Sequence, residues 1–281
     1  MNTHNADLPS LKGNKNRGES STLGAAARRA QVSLLAAIFG PATRLWLGKH
    51  LASMEGAQGL HLGCGNGEDT FLAASLLSED NALHGIDEDA VMIEAALQRK
   101  ARRGLEHVHF AQASLADWSP ARPYDFIYTR IQATALPAPE TWLEGLCRGL
   151  SAGGVLFVEA IKPSGFRAYP YNHAFARAME LIGRLEAAQP YEVEELPGLL
   201  GQAGFTDIVT TYAAPAFITP ACNRIASLSL ECYREEILRH GDSNRNEINA
   251  LLQELQAFEL LEDTLASRPG VLQLSARNNR T

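Results

Sequence analysis

The run Gly59-Leu60-His61-Leu62-Gly63-Cys64-Gly65-Asn66-Gly67-Glu68-Asp69-Thr70, followed by Leu83-His84-Gly85-Ile86-Asp87, constrains this chain more than any other feature. An apolar strand that ends in closely spaced glycines, opens a helix and precedes a second strand ending in an acid is the pattern of a nucleoside-binding βαβ unit. Glycines at 63, 65 and 67 let the main chain turn tightly and let a ligand approach it, because they carry no Cβ. Asp87 is then expected at the carboxyl end of the second strand, where a carboxylate can accept both hydroxyls of a ribose. Position 68 is Glu, so the spacing is G-x-G-x-G and the G-x-G-x-x-G of dinucleotide binding is not met. A pyrophosphate needs a bare positive helix end, whereas Glu68 and Asp69 put negative charge into that first turn. The ligand expected here is a nucleoside without phosphates.

Three further segments follow in order: His107 to Trp118, Tyr124-Asp125-Phe126-Ile127-Tyr128-Thr129-Arg130, and Leu150-Ser151-Ala152-Gly153-Gly154-Val155-Leu156-Phe157-Val158-Glu159. With the glycine run as motif I, the stretch from residue 57 to 160 resembles the class I S-adenosylmethionine-dependent methyltransferases. The resemblance implies that Gly63, Cys64, Gly65, Gly67, Asp87, Glu88, Ser114, Leu115 and Arg130 surround S-adenosylmethionine, with Arg130 on the methionine carboxylate. Two positions depart from the family pattern: His61 stands where an acid is usual, and Ser114 where an acid meets the adenine amine. A serine hydroxyl still accepts a hydrogen bond, and Asp117 lies one turn on.

The expected architecture is α/β, a doubly wound parallel sheet with helices on both faces, because strand and helix patterns alternate from residue 58 to 160. Strands are expected near 58–63, 82–87, 107–113, 124–129, 154–160, 205–212 and 270–276. The resemblance completes these into a seven-stranded, mostly parallel Rossmann-like methyltransferase fold whose final pair is antiparallel. Residues 1–22, poor in apolar side chains, read as a disordered arm. Residues 23–56 read as two short helices broken at Pro41, 57–160 as the cofactor-binding core, 161–203 as a helical lid insertion, and 204–281 as the completion of the sheet. Single helices are expected over 222–240 and 244–262.

Composition bounds the partners. Residues 1–50 carry a net charge of +5, so the remainder carries −12. An acidic body disfavours a nucleic-acid substrate, which needs a basic face. The four cysteines are scattered without C-x-x-C or histidine partners, so neither a zinc site nor a disulfide framework is expected, and the setting is read as cytoplasmic. No apolar run approaches the roughly twenty residues of a membrane span. No acids or histidines pair in the metal-dependent pattern, and no Asn/Asp-Pro-Pro-Tyr run follows Tyr128. The expected reaction is therefore metal-independent methyl transfer to a small molecule.

Methyl transfer from a sulfonium is an in-line displacement with a neutral leaving group, so orientation and exclusion of water carry much of the rate. The aromatic loop Pro163 to His173 is expected to overhang the cleft. It offers His173 as a general base, since an imidazole titrates near neutrality. Tyr128, Tyr169 and Tyr171 are candidates to stack on the acceptor or face the sulfonium. Two other uses of the fold stay open: a non-catalytic partner or scaffold, and chemistry other than methyl transfer.

Overall fold

Four of the five residues from Gln58 to Leu62 are buried, as suits a strand covered on both faces, and the rest of the sheet is laid out around them. The computed structural model describes residues 22–114, 118, 122–135, 138–214, 220–267 and 270–279. The expected arm at 1–22 lies outside these but for its last residue, as do Leu115 and Asp117. The strands are β1 (Gln58–Leu62), β2 (Ala82–Asp87), β3 (Val108–Gln112), β4 (Tyr124–Gln132), β5 (Leu150–Ile161), β6 (Arg167–Tyr169), β7 (Phe205–Ala213), β8 (Leu265–Ser267) and β9 (Val271–Asn278). Seven of them form one sheet in the order β3-β2-β1-β4-β5-β9-β7, and β6 pairs with β8 in a small ribbon. The first five sheet strands are mutually parallel, while β9 runs antiparallel to both β5 and β7. Strand order reverses between β1 and β4, which makes their carboxyl ends the switch point where open α/β sheets bind ligands.

The helices are α1 (Thr22–Leu51), α2 (Glu68–Ala74), α3 (Ala90–Arg103), α4 (Pro139–Gly149), α5 (His173–Ala187), α6 (Leu196–Gln202), α7 (Ile225–Cys232), α8 (Arg234–His240) and α9 (Arg245–Glu259). The period-2 alternation of the strands sorts the layers. Leu60, Leu62, Ile127, Leu156 and Val158 face α4 and α6, while Phe126, Tyr128 and Phe157 face α1 and α2. Beyond this second layer α1, α5, α7 and α9 pack on one another in a helical cluster around Phe39, Phe175, Ile225 and Leu255.

Two expected helices differ. The break at Pro41 is absent, and α1 is one helix of 30 residues with Pro41 inside it. Leu35, Ile38 and Phe39 before the proline and Trp46, Leu47 and Leu51 after it are all buried, and this packing outweighs the roughly 3 kcal/mol an interior proline costs. The expected helix over 222–240 is instead a 3₁₀ turn followed by α7 and α8, which meet at Tyr233 (φ −100°, ψ 8°). Its hydroxyl reaches Gln132 Oε1 at the end of β4, 2.6 Å away, and anchors the break.

Candidate functional site

The glycine loop hangs from the end of β2. The N–H groups of Gly63 and Cys64 both donate to the Ile86 carbonyl at 2.9 Å, and the Gly65 N–H donates to Asp87 Oδ2 at 2.8 Å. The other oxygen of Asp87 accepts the Asp89 N–H at 2.9 Å, so one carboxylate ties the loop to the entry of α3. Each oxygen retains a lone pair for a further donor. Burial, ahead of the opposing backbone bonds, pushes the Asp87 carboxyl above its ordinary pKa. Gly65 and Gly67 sit at φ +52° and +84°. A Cβ at 67 would stand 2.9 Å from Phe110 and 3.0 Å from Phe71, and one at 65 would stand 3.1 Å from Val32 of α1. Close packing of protein on the loop is therefore a reason for these glycines that the ligand argument alone did not give.

Glu88 follows Asp87 half-buried, and Ser114 lies half-buried just beyond β3. The Ala113 N–H donates to the Asp87 carbonyl at 3.0 Å, which brings that turn beside the loop. Cys64 is buried, and burial followed by the Asp87 charge holds its thiol well above the usual range.

Arg130 occupies the centre of a buried cluster. Its Nε and Nη2 donate to Glu159 Oε2 at 2.9 and 2.7 Å, Nη2 also donates to the Thr43 hydroxyl at 2.8 Å, and Nη1 pairs with Asp69. The Thr43 hydroxyl donates to Glu159 Oε1 at 2.8 Å, Gln273 donates to the same oxygen at 2.8 Å, and the Tyr128 hydroxyl donates to Oε2 at 2.8 Å. Burial works against the Arg130 charge, but Asp69, Tyr128 and Glu159 outweigh it and hold its pKa above the ordinary value. The His61 ring lies 4.6 Å from that of Tyr128, and its Nδ1 meets the Thr70 hydroxyl at 2.8 Å. Burial, then the Arg130 charge, lowers the His61 pKa to about 3, so the imidazole is neutral.

Several expectations need correcting. Tyr128 is fully buried with its hydroxyl spent on Glu159, so its ring packs on His61 and offers no face to an acceptor. Tyr169 and Tyr171 are 70% and 76% exposed; β6 pairs with β8 and not with a strand of the main sheet. His173 is the exposed first residue of α5, behind the Asn172 cap. Arg130, expected on the methionine carboxylate, is in addition a buried hub that holds two acids of the chain itself, Asp69 and Glu159.

Asp69, Glu159, Thr43 and Gln273 were not foreseen as partners. Glu159 did carry a signal: a lone acid inside the apolar run Val155 to Ile161 needs a buried cation, and Arg130 lies opposite it in register. Cavities of about 560 and 430 Å³ open beside Lys49, Asp125 and Gly153, towards the amino ends of β4 and β5, and beside the loop residue Asn66 between Arg29 and Arg99.

With this geometry in hand, comparison with known proteins gives one direction. A family model described as a methyltransferase domain matches residues 54–205. The trans-aconitate 2-methyltransferase of Rhizobium etli is 37% identical over 100 residues, which cover 36% of this chain and 37% of that protein. The match thus spans about a third of the relative's length. Among solved structures, phosphoethanolamine N-methyltransferase 2 of Haemonchus contortus, bound to S-adenosyl-L-methionine, superposes with a TM-score of 0.55 at 17% identity, covering 89% of this chain and 57% of that one. The [4+2]-cyclase SpnF gives 0.51 at 18% identity, covering 95% and 86%. At such identities the likeness is one of fold, and a fold alone leaves the reaction open.

Proposed function

The chain belongs to the class I S-adenosylmethionine-dependent methyltransferases, and from that premise we propose that it transfers the cofactor's methyl group to a small-molecule acceptor. The observation that carries this is the bond from the Gly65 N–H to Asp87 Oδ2. It holds the turned glycine loop against the carboxylate at the end of β2, one strand from the switch point of the sheet, where this reading puts the nucleoside. In this reading Asp87 and Glu88 take the ribose hydroxyls, Ser114 flanks the adenine, and Gly63, Cys64, Gly65 and Gly67 offer main chain to the methionine half. Arg130 keeps one Nη1 N–H beyond the bonds just described, and it reaches for the methionine carboxylate. The orphaned, buried Asp69 Oδ1 and His61 Nε2 support a polar ligand on this side of the loop.

S-adenosylmethionine supplies a methyl group on a sulfonium whose leaving thioether is neutral. The residues named above orient that group and shield it, which is the larger part of what such a displacement asks of a protein. No helix among the described residues is long and apolar enough to cross a membrane. Because the relative is named for trans-aconitate, that compound is the first acceptor to assay. Titration calorimetry should give binding heat with S-adenosylmethionine for the native chain and none for Gly65→Asp, and methyl label should move to the acceptor. A native chain that gives no heat rejects the cofactor site. Label left wholly on the cofactor while the acceptor is consumed rejects methyl transfer.

A further inference from the structure

The buried cluster around Arg130 does not balance. As carboxylates, Asp69 and Glu159 bring two negative charges against the one positive charge of Arg130, while burial, the first cause in each case, keeps His61 neutral, keeps the proton on Tyr128 and pushes the Asp69 pKa up. A buried charge without a partner costs several kcal/mol. Hydrogen bonding locates the imbalance. Both oxygens of Glu159 are saturated, Oε1 by Thr43 and Gln273 and Oε2 by Tyr128 and Arg130. Asp69 gives one oxygen to Arg130, and its Oδ1 is buried with no partner. The group that would both satisfy Asp69 Oδ1 and hold this carboxyl ionised against its burial is a hydrogen-bond donor that carries positive charge.

Asp69 stands two residues beyond Gly67, at the root of the glycine loop. S-adenosylmethionine brings two cationic centres to that loop, a sulfonium without N–H or O–H and an α-ammonium with three donors. Only the second can satisfy an orphaned carboxylate oxygen. We propose that the carboxylate of Asp69 receives the α-ammonium group of the cofactor, while Arg130, which Asp69 and Glu159 hold in place, faces its carboxylate. The amino-acid head is a zwitterion, and the Asp69–Arg130 pair is its complement. This inference rests on the cofactor reading above and adds a residue to it that no motif marks.

Three ligands separate the two. S-adenosylmethionine and S-adenosylhomocysteine carry the amino-acid head, and 5′-methylthioadenosine keeps the nucleoside and thioether without it. Calorimetry on Asp69→Asn should show both amino-acid ligands weakened at least about tenfold, as for loss of a buried charged partner, with 5′-methylthioadenosine unchanged within about twofold. Equal weakening of all three would mean that Asp69 only braces the loop, and no weakening would mean that it meets no ligand; either overturns the proposal. A second arm needs no variant: the native chain should bind S-adenosylhomocysteine at least about tenfold more tightly than its deaminated analogue, which keeps the carboxylate. Equal affinities overturn the role of Asp69 and leave the cofactor site standing. Failure of the native chain to bind any of these compounds overturns both.

Discussion

Burial decides the chemistry of His61 before any ligand arrives. A group whose folded pKa is about 3 against an ordinary 6.5 favours the folded state while it stays neutral. That stability is complete above about pH 6.5 and is lost as pH falls towards 3, because the unfolded chain then binds a proton the folded chain refuses. Between pH 7 and pH 5 this one histidine should cost the native protein about 2 kcal/mol. His61→Gln should lose less by that amount over the same interval, as read from urea unfolding at the two pH values. His84, whose pKa burial and His109 lower to about 4, acts in the same direction and stays in both proteins, so the difference isolates position 61. At Gly67 the argument is steric. The φ of +84° and the 2.9 Å that would separate an added Cβ from Phe110 should make Gly67→Ala about 2–4 kcal/mol less stable, and cofactor heat should vanish before the fold does.

Among the elements, α1 is the one whose role goes furthest beyond its sequence pattern. Val32 presses on the loop, Ser33 accepts a bond from Asn66 at 2.8 Å, and Thr43 reaches the Arg130 cluster. Thr43→Val keeps the shape and removes the hydroxyl between Arg130 and Glu159. It should lower stability by about 1–3 kcal/mol, the cost of unsatisfied buried polar groups, and loosen the carboxyl half of α1, where Thr43 sits, in hydrogen exchange. Much at this scale was legible. The β2 boundaries were read at both ends, because Asn81 and Asp87 bracket a short apolar run, and the loop glycines stood where the pattern put them. The early start of β5 was hidden: Gly153-Gly154 reads as a turn, yet Leu150 already pairs with Tyr124 across a bulge. The partners of Arg130 were hidden for a deeper reason. They lie 61, 29 and 87 residues away, and local periodicity carries no information about such pairings. Tyr169 ends the β6–β8 ribbon and Tyr171 and His173 follow it, a placement local aromatic density did not reveal because it marks a ribbon as readily as a cleft.

For the molecule as a whole, the sheet closes last at its most interior late strand. β9 is the final element described, yet it lies between β5 and β7 and is hydrogen-bonded to both. Gln273 on it meets Glu159 in the cofactor-side cluster, and Asn278 donates to the Leu150 carbonyl at 3.1 Å where β5 begins. Leu274 and Ala276 fill the α4/α6 layer. Without β9, β5 presents an unpaired edge along a buried stretch, β7 loses its attachment to the sheet, and Glu159 loses a donor to Oε1. Such a defect reaches both layers at once, since the strand's two faces belong to different cores. A chain ending at Gly270 should therefore lack a cooperative urea transition and bind hydrophobic dye as a loosely packed state does, even though the glycine loop, Asp87 and Arg130 are all present in it. A single sharp transition with cofactor binding intact would show instead that residues up to 270 form a self-sufficient unit and that β9 only covers an edge. The contrast is measurable on one truncated protein, because far-ultraviolet signal reports the helices that remain while near-ultraviolet signal reports the packing that β9 is expected to lock.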